Sequence, residues 1–161
     1  MEVQAIDPQV CMLPETVYKA VEDSGHTLDQ IQGSDTAVYS GVLMHNYKHI
    51  TSRDLQFLNK YHATGVTPSL IANRILYFLD WHGPSMIVDT VCSASLYAVH
   101  LAMQQQRSGC SSMAAATGCN VILDPWVYVS QSKMNMLSPT GRSRMWDADT
   151  NRYARGEGIA V

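Results

Sequence analysis

Asp89-Thr90-Val91-Cys92-Ser93-Ala94-Ser95-Leu96 puts a thiol where a strand gives way to a helix. Ser85-Met86-Ile87-Val88 reads as a short buried strand, and Leu96, Val99, Leu101 and Met103 follow on a helical period that stops at Gly109. A cysteine at a helix N-terminus faces free backbone N–H groups and the positive end of the helix dipole. Both favour the thiolate, which is the nucleophilic form of sulfur. The competing reading of Cys92 is a small buried residue, the usual fate of an intracellular cysteine. Ser93 and Ser95 read as caps of the first helical turn rather than as reactive hydroxyls.

Other groups with chemical potential carry less. His45 and His49 are spaced to share a helix face, but no third metal ligand stands at a suitable spacing, so a solvated loop is expected. His100 follows Cys92 by eight residues, about 12 Å along a helix axis, too far to act as a base on the sulfur. Asp147 and Asp149 lack a calcium-loop pattern and read as turn residues. Gly156-Glu157-Gly158 is too short for a nucleotide fingerprint. Arg142, Arg144 and Arg155 read as solvated loop charges, with the acidic surface of a partner protein as the alternative contact.

These residues need elements to position them. Val10, Leu13, Val17 and Val21 recur at helical spacing up to Ser24-Gly25, with Pro14 placed at a first helical position and Glu15 in the first turn. Residues 36–44 read as a strand broken by Gly41, and 45–61 as a polar loop with some helix. Leu70, Ile71, Ile75, Phe78 and Leu79 form an amphipathic helix ending before Trp81-His82-Gly83-Pro84. Residues 113–123 are small and apolar enough for a buried strand, with Gly118 allowing close backbone approach. Alternating strands and helices predict an α/β layered fold. Gly158-Ile159-Ala160-Val161 reads as the start of a strand that stops, so the chain is expected to be truncated.

The 161 residues suffice for one domain with a real core. A hydrophobic share of 46% against 16% charged argues against disorder. With a net charge of −3 and no basic stripe, nucleic acid is not an expected partner. No apolar run approaches the roughly 18 residues of a membrane span, and Met1-Glu2-Val3-Gln4-Ala5 has no leader character. Cys11, Cys92, Cys110 and Cys119 show no CxxC pairing and read as free thiols in a reducing, cytoplasmic setting. The nine methionines read as core gap-fillers.

Val88-Asp89-Thr90-Val91-Cys92-Ser93-Ala94-Ser95-Leu96 resembles the active-site signature V-D-T-A-C-S-S-S-L of β-ketoacyl synthases. Asp7-Pro8-Gln9 and Glu15-Thr16-Val17-Tyr18 are similar to an early helix of that family. Thr64-Gly65, Asn73-Arg74-Ile75 and Gly83-Pro84-Ser85-Met86 resemble its approach to the cysteine. Leu137-Ser138-Pro139-Thr140-Gly141-Arg142 and Tyr153-Ala154-Arg155-Gly156-Glu157-Gly158 resemble the stretch beyond it. Residues 135–149 look most like fungal reducing iterative polyketide synthases, including those fused to a nonribosomal peptide synthetase. Val91 and Ala94 depart from the pattern, narrowing the space beside the sulfur and removing a hydroxyl. Cys11 stands where arginine is common, and Arg152 where glycine is usual.

The resemblance implies a thiolase-like α/β fold of αβαβα layers, with residues 1–161 a partial domain from its N-terminal half. It implies that Cys92 accepts an acyl chain from the phosphopantetheine arm of an acyl carrier protein. A malonyl-type extender then loses carbon dioxide and attacks the Cys92 thioester in a Claisen condensation. No metal or directly bound cofactor is implied, and the partners implied are the carrier protein and a second ketosynthase in a homodimer. The strand at 113–123 resembles the one that pairs across the dimer axis. The family's two catalytic histidines lie in motifs, H-G-T-G-T and a G-H beside a lysine, that do not occur in these residues. The alternatives are a catalytically inactive fragment or dimerisation piece, and a cysteine hydrolase pairing Cys92 with a histidine. The isolated chain is expected neither to condense nor to fold stably alone.

Overall fold

Asp7-Pro8 opens the first helix, and it does so earlier than Pro14 suggests. The computed structural model describes residues 3–161; Met1 and Glu2, part of the stretch read for a leader, lie outside the described residues. Helix α1 spans Pro8–Asp23, with Pro8 in its first turn and the Asp7 carboxylate accepting the Gln9 N–H at 2.9 Å. That cap satisfies an orphan donor at the site where proline costs nothing. Pro14 therefore lies inside the helix. Val10, Leu13, Val17 and Val21 are buried along one stripe, as their spacing predicts.

A short turn of helix, α2 (Leu28–Ile31), leads to strand β1 (Ala37–Val42), which is buried at every position. The 45–61 stretch contains helix α3 (Asn46–Thr51) and is followed by α4 (His62–Val66) and α5 (Ser69–Leu79). Helix α5 buries Ile71, Ala72, Ile75 and Leu79 and ends on Asp80 in the left-handed conformation. Phe78, which the periodicity placed on the apolar face, is exposed. Strand β2 (Ser85–Val88) pairs with β1 alone, so only Val88 of it is buried. Helix α6 spans Ala94–Arg107, and Gly109 takes a positive φ of 72° just beyond it. Strand β3 (Ala114–Asn120), helix α7 (Trp126–Lys133) and strand β4 (Gly158–Ala160) complete the chain.

The sheet runs β2-β1-β3-β4, with the first three strands parallel and β4 antiparallel to β3. Helices α1 and α5 cover one face, where Val10, Leu13 and Val17 meet Val38, Val42, Ile71 and Ile75. Helix α6 covers the other face through Ala98 and Ala102 against Ala37 and Tyr39. The stripe of α6 facing the sheet is thus its alanines. Leu96, Val99 and Met103, expected to be its core face, point away and are 72%, 42% and 43% exposed. Alanines let the helix sit close on the sheet, and larger side chains there would hold it off.

Two further expectations change. Strand β3 has β1 on one edge and β4 on the other, so it cannot pair across a dimer axis; the sheet's outer strands are β2 and β4. The methionines mostly avoid the core: Met44 is buried, whereas Met12, Met86, Met103, Met134 and Met145 are exposed. Among the described residues, no helix is long and apolar enough to cross a membrane.

Candidate active site at the Cys92 turn

Strand β2 ends at Val88, and the chain enters α6 through a single 3-10 turn, Val91–Ser93, with Cys92 at its centre. The turn is tight. Val91 has φ +56°, a left-handed conformation that a β-branched residue rarely adopts. The Asp89 carboxylate holds it there by accepting the Val91 N–H at 3.0 Å. The Ser93 hydroxyl turns back to Thr90, donating to its carbonyl and meeting its hydroxyl, each at 3.0 Å. Ser93 occupies the N-cap position of α6, yet no side chain caps that helix. The first-turn N–H groups are thus not taken up by Ser93 or Ser95 as the sequence suggested.

The seat for this turn is built of glycine. Gly41 on β1 and Gly118 on β3 are register partners. A Cβ on Gly41 would come within 2.5 Å of the Ser95 backbone nitrogen, and one on Gly118 within 3.1 Å of the Ser95 Cβ. Gly41 therefore does not break β1; it lets the start of α6 lie on the strand. Beneath it the Thr117 hydroxyl donates to the Ser40 hydroxyl at 2.7 Å, both residues buried.

Cys92 is exposed and opens onto a cleft of about 570 Å³ whose walls include Leu43, Val91, Met136, Ile159 and Arg155. All four cysteines are free thiols, and only Cys119 is buried. Burial pushes the Cys119 thiol up to about 12, so it remains protonated and unreactive. Cys11, on α1, is exposed, but partial desolvation raises its thiol, opposed by the Arg74 guanidinium.

The remaining candidates fall elsewhere. His100 is exposed on α6 with its ring against Tyr97. His49 Nδ1 lies 3.0 Å from the Asp124 carboxylate, which also pairs with Arg53 and accepts the Trp126 N–H. The Trp126 N–H, then the His49 ring and the Arg53 guanidinium, hold the Asp124 carboxyl below the usual range against its desolvation. His45 is lowered by its half-burial, opposed by Asp7 and Asp89. Among the described residues no cluster of three His, Cys, Asp or Glu could hold a metal ion. Asp147 and Asp149 shape a turn, with the Asp147 carboxylate accepting the Asp149 N–H at 3.0 Å. Arg142 is exposed and Arg144 lies 3.9 Å from Asp149. Arg155 is not a solvated loop charge: it is half-buried and clipped to Gln131 and Asn120. Asn120, Gln131 and Tyr153 line the same cleft; Asn120 and Gln131 had no local sequence signal, whereas Tyr153 opens the 153–158 stretch that resembles the family.

The arrangement is an exposed thiol on a strained strand-to-helix turn, at the mouth of a largely apolar cleft. The family model for the β-ketoacyl synthase N-terminal domain matches residues 1–161. A lovastatin nonaketide synthase from Monascus pilosus is 58% identical over 158 residues, 98% of this chain and 5% of that protein. A polyketide synthase–nonribosomal peptide synthetase from Talaromyces wortmannii is 52% identical over 160 residues, 99% of this chain and again 5% of its own. The chain thus spans about one-twentieth of the length of these relatives. The solved oxazolomycin ketosynthase domain from Streptomyces albus superimposes with a TM-score of 0.87 at 33% identity, covering 98% of this chain and 27% of that one. A ketosynthase of the Bacillus subtilis bacillaene synthase gives 0.84 at 32%, covering 96% and 25%. The fold is accordingly thiolase-like, and the chain belongs to the β-ketoacyl synthase family, among the relatives of fungal reducing polyketide synthases.

Proposed function

We propose that residues 1–161 are the N-terminal half of a ketosynthase domain in which Cys92 is the acyl acceptor. The observation that carries the reading is the placement of Cys92: exposed, in the turn before α6, facing the cleft. The Cys92 thiolate attacks the carbonyl of an acyl thioester borne on the phosphopantetheine arm of an acyl carrier protein. The tetrahedral oxyanion collapses, the carrier thiolate leaves, and the acyl group stays on sulfur. Sulfur serves both as nucleophile and as leaving group, so exchange between thioesters is easily reversed. With no side-chain cap from Ser93, the N-terminal end of α6 just beyond Cys92 can favour developing negative charge through its free N–H groups. A malonyl-type extender then loses carbon dioxide, and its carbanion attacks the Cys92 thioester and expels the thiolate. The two histidines of the family motifs, which assist this second step, would come from outside residues 1–161.

Two surfaces support the wider assembly. The outward face of α6 carries Leu96, Val99 and Met103, an apolar stripe suited to burial by the second half of the domain. Strand β2 has one unpaired edge, and a second ketosynthase adding strand to strand there would form the homodimer. The test is labelling of the full-length synthase with a cerulenin-type, thiol-directed epoxide followed by peptide mapping. Cys92 is modified first, and Cys119, buried and protonated, is spared. Equal labelling of Cys11, Cys92 and Cys110 would contradict the assignment.

A further inference from the structure

Arg155 stands in the wall of the Cys92 cleft, and among the described residues no carboxylate pairs with it. Its Nη1 donates to Gln131 Oε1 at 3.0 Å and its Nη2 to Asn120 Oδ1 at 3.4 Å. Both acceptors are neutral amides, and both are themselves oriented. Gln131 Oε1 also accepts the Tyr153 hydroxyl at 2.7 Å, while Asn120 Nδ2 donates to the Gly156 carbonyl at 2.6 Å. The Arg155 Nε–H is buried and, among the described residues, has no acceptor.

A guanidinium offers five donors in a planar fork, and buried donors are almost always met. Here the fork is fixed by amides that leave its charge intact, beside a cleft whose other named walls are mostly apolar. Such a cation is matched by a bidentate oxyanion. We propose that Arg155 holds an oxyanion of the substrate that enters the cleft, with the phosphate of the phosphopantetheine arm as its ligand. This rests on the reading of Cys92 as acyl acceptor. The extender's carboxylate is the other oxyanion source, and its chemistry disfavours it. A guanidinium paired with that carboxylate stabilises the reactant but not the neutral carbon dioxide it becomes, which would slow decarboxylation. A phosphate keeps its charge throughout.

The test uses the full-length synthase and measures protection of Cys92 from iodoacetamide. Phosphopantetheine and pantetheine form one pair of protectants; malonyl and acetyl thioesters of N-acetylcysteamine form the other. Phosphopantetheine should protect at about tenfold lower concentration than pantetheine. That ratio should fall to about one in Arg155→Gln and be partly kept in Arg155→Lys, while the malonyl-to-acetyl ratio stays near one in all three. An unchanged phosphate preference in Arg155→Gln overturns the proposal, as does a wild-type ratio of one. A malonyl preference that disappears in Arg155→Gln overturns the phosphate assignment in favour of the carboxylate. If Arg155→Gln fails to fold, the wild-type ratio at low and high salt decides: a preference that salt erodes supports the site, and no preference overturns it. Acyl transfer to Cys92 is read separately by mass, so its absence with phosphate preference intact refutes the acyl-acceptor reading and not the anion site.

Discussion

Gly41→Ala adds one methyl group where α6 rests on β1. The new Cβ would lie 2.5 Å from the Ser95 nitrogen, 2.6 Å from the Ala94 carbonyl carbon and 2.6 Å from the Ser95 Cα. All three contacts are backbone, so no side-chain rotation relieves them. Strand β1 is buried throughout and paired on both edges, so it cannot yield either. The start of α6 must move, carrying the Val91–Ser93 turn with it. Overpacking of this kind costs about 1–3 kcal/mol, and unyielding backbone puts Gly41→Ala at the upper end. In the full-length synthase this reads as an earlier thermal transition of the ketosynthase domain. Gly118→Ala meets a side-chain Cβ at 3.1 Å and should cost less. Gly109→Ala meets nothing within 4 Å and costs only the strain of its positive φ, about 1 kcal/mol. Thermal melts of the three variants, with the rate of Cys92 alkylation in each, give the ranking. A Gly41→Ala protein that melts with the wild type and alkylates at the wild-type rate would refute the reasoning.

Val91→Gly removes a β-branched side chain from φ +56° and should ease about 1 kcal/mol of strain, partly offset by glycine's unfolded-state freedom; denaturant midpoints show the net, and a fall beyond 1 kcal/mol would contradict the strain reading. Leu13→Ala empties a fully buried position between α1 and the sheet and should cost about 3 kcal/mol, read as an earlier urea transition of the ketosynthase domain in the full-length synthase. The Asp124 carboxyl has its acidity strengthened by folding, so its contribution is present above the unfolded-state value, near 4, and is lost as pH falls through the lower folded value. Asp124→Asn should therefore be less stable than wild type at pH 7, with the gap closing below about pH 4; a gap that widens in acid would have the sign wrong.

The strand, turn and helix around Cys92 were legible because each signal is local: an apolar run, a cysteine, a helical period and Gly109 at the stop. The inward face of α6 was not. The helix carries an alanine stripe on one side and Leu96, Val99 and Met103 on the other, and periodicity alone picks the larger side chains. Pro14 misplaced the start of α1 because a proline inside a helix and one in its first turn look alike until the Asp7 cap is seen. Gly41 read as a strand breaker, since the helix that requires it starts more than fifty residues later. The cleft wall was least visible of all. Asn120, Gln131, Tyr153 and Arg155 sit in three separate stretches and carry no common pattern until the chain closes.

Transfer of an acyl group to Cys92 is the step on which the account rests. Full-length synthase incubated with an acyl-phosphopantetheine thioester and digested for peptide mass analysis reads it directly. The account predicts the added acyl mass on the peptide containing Cys92, its release by hydroxylamine as a thioester, and no acylation in Cys92→Ala. Acylation at another residue, or acylation that persists in Cys92→Ala, would contradict it.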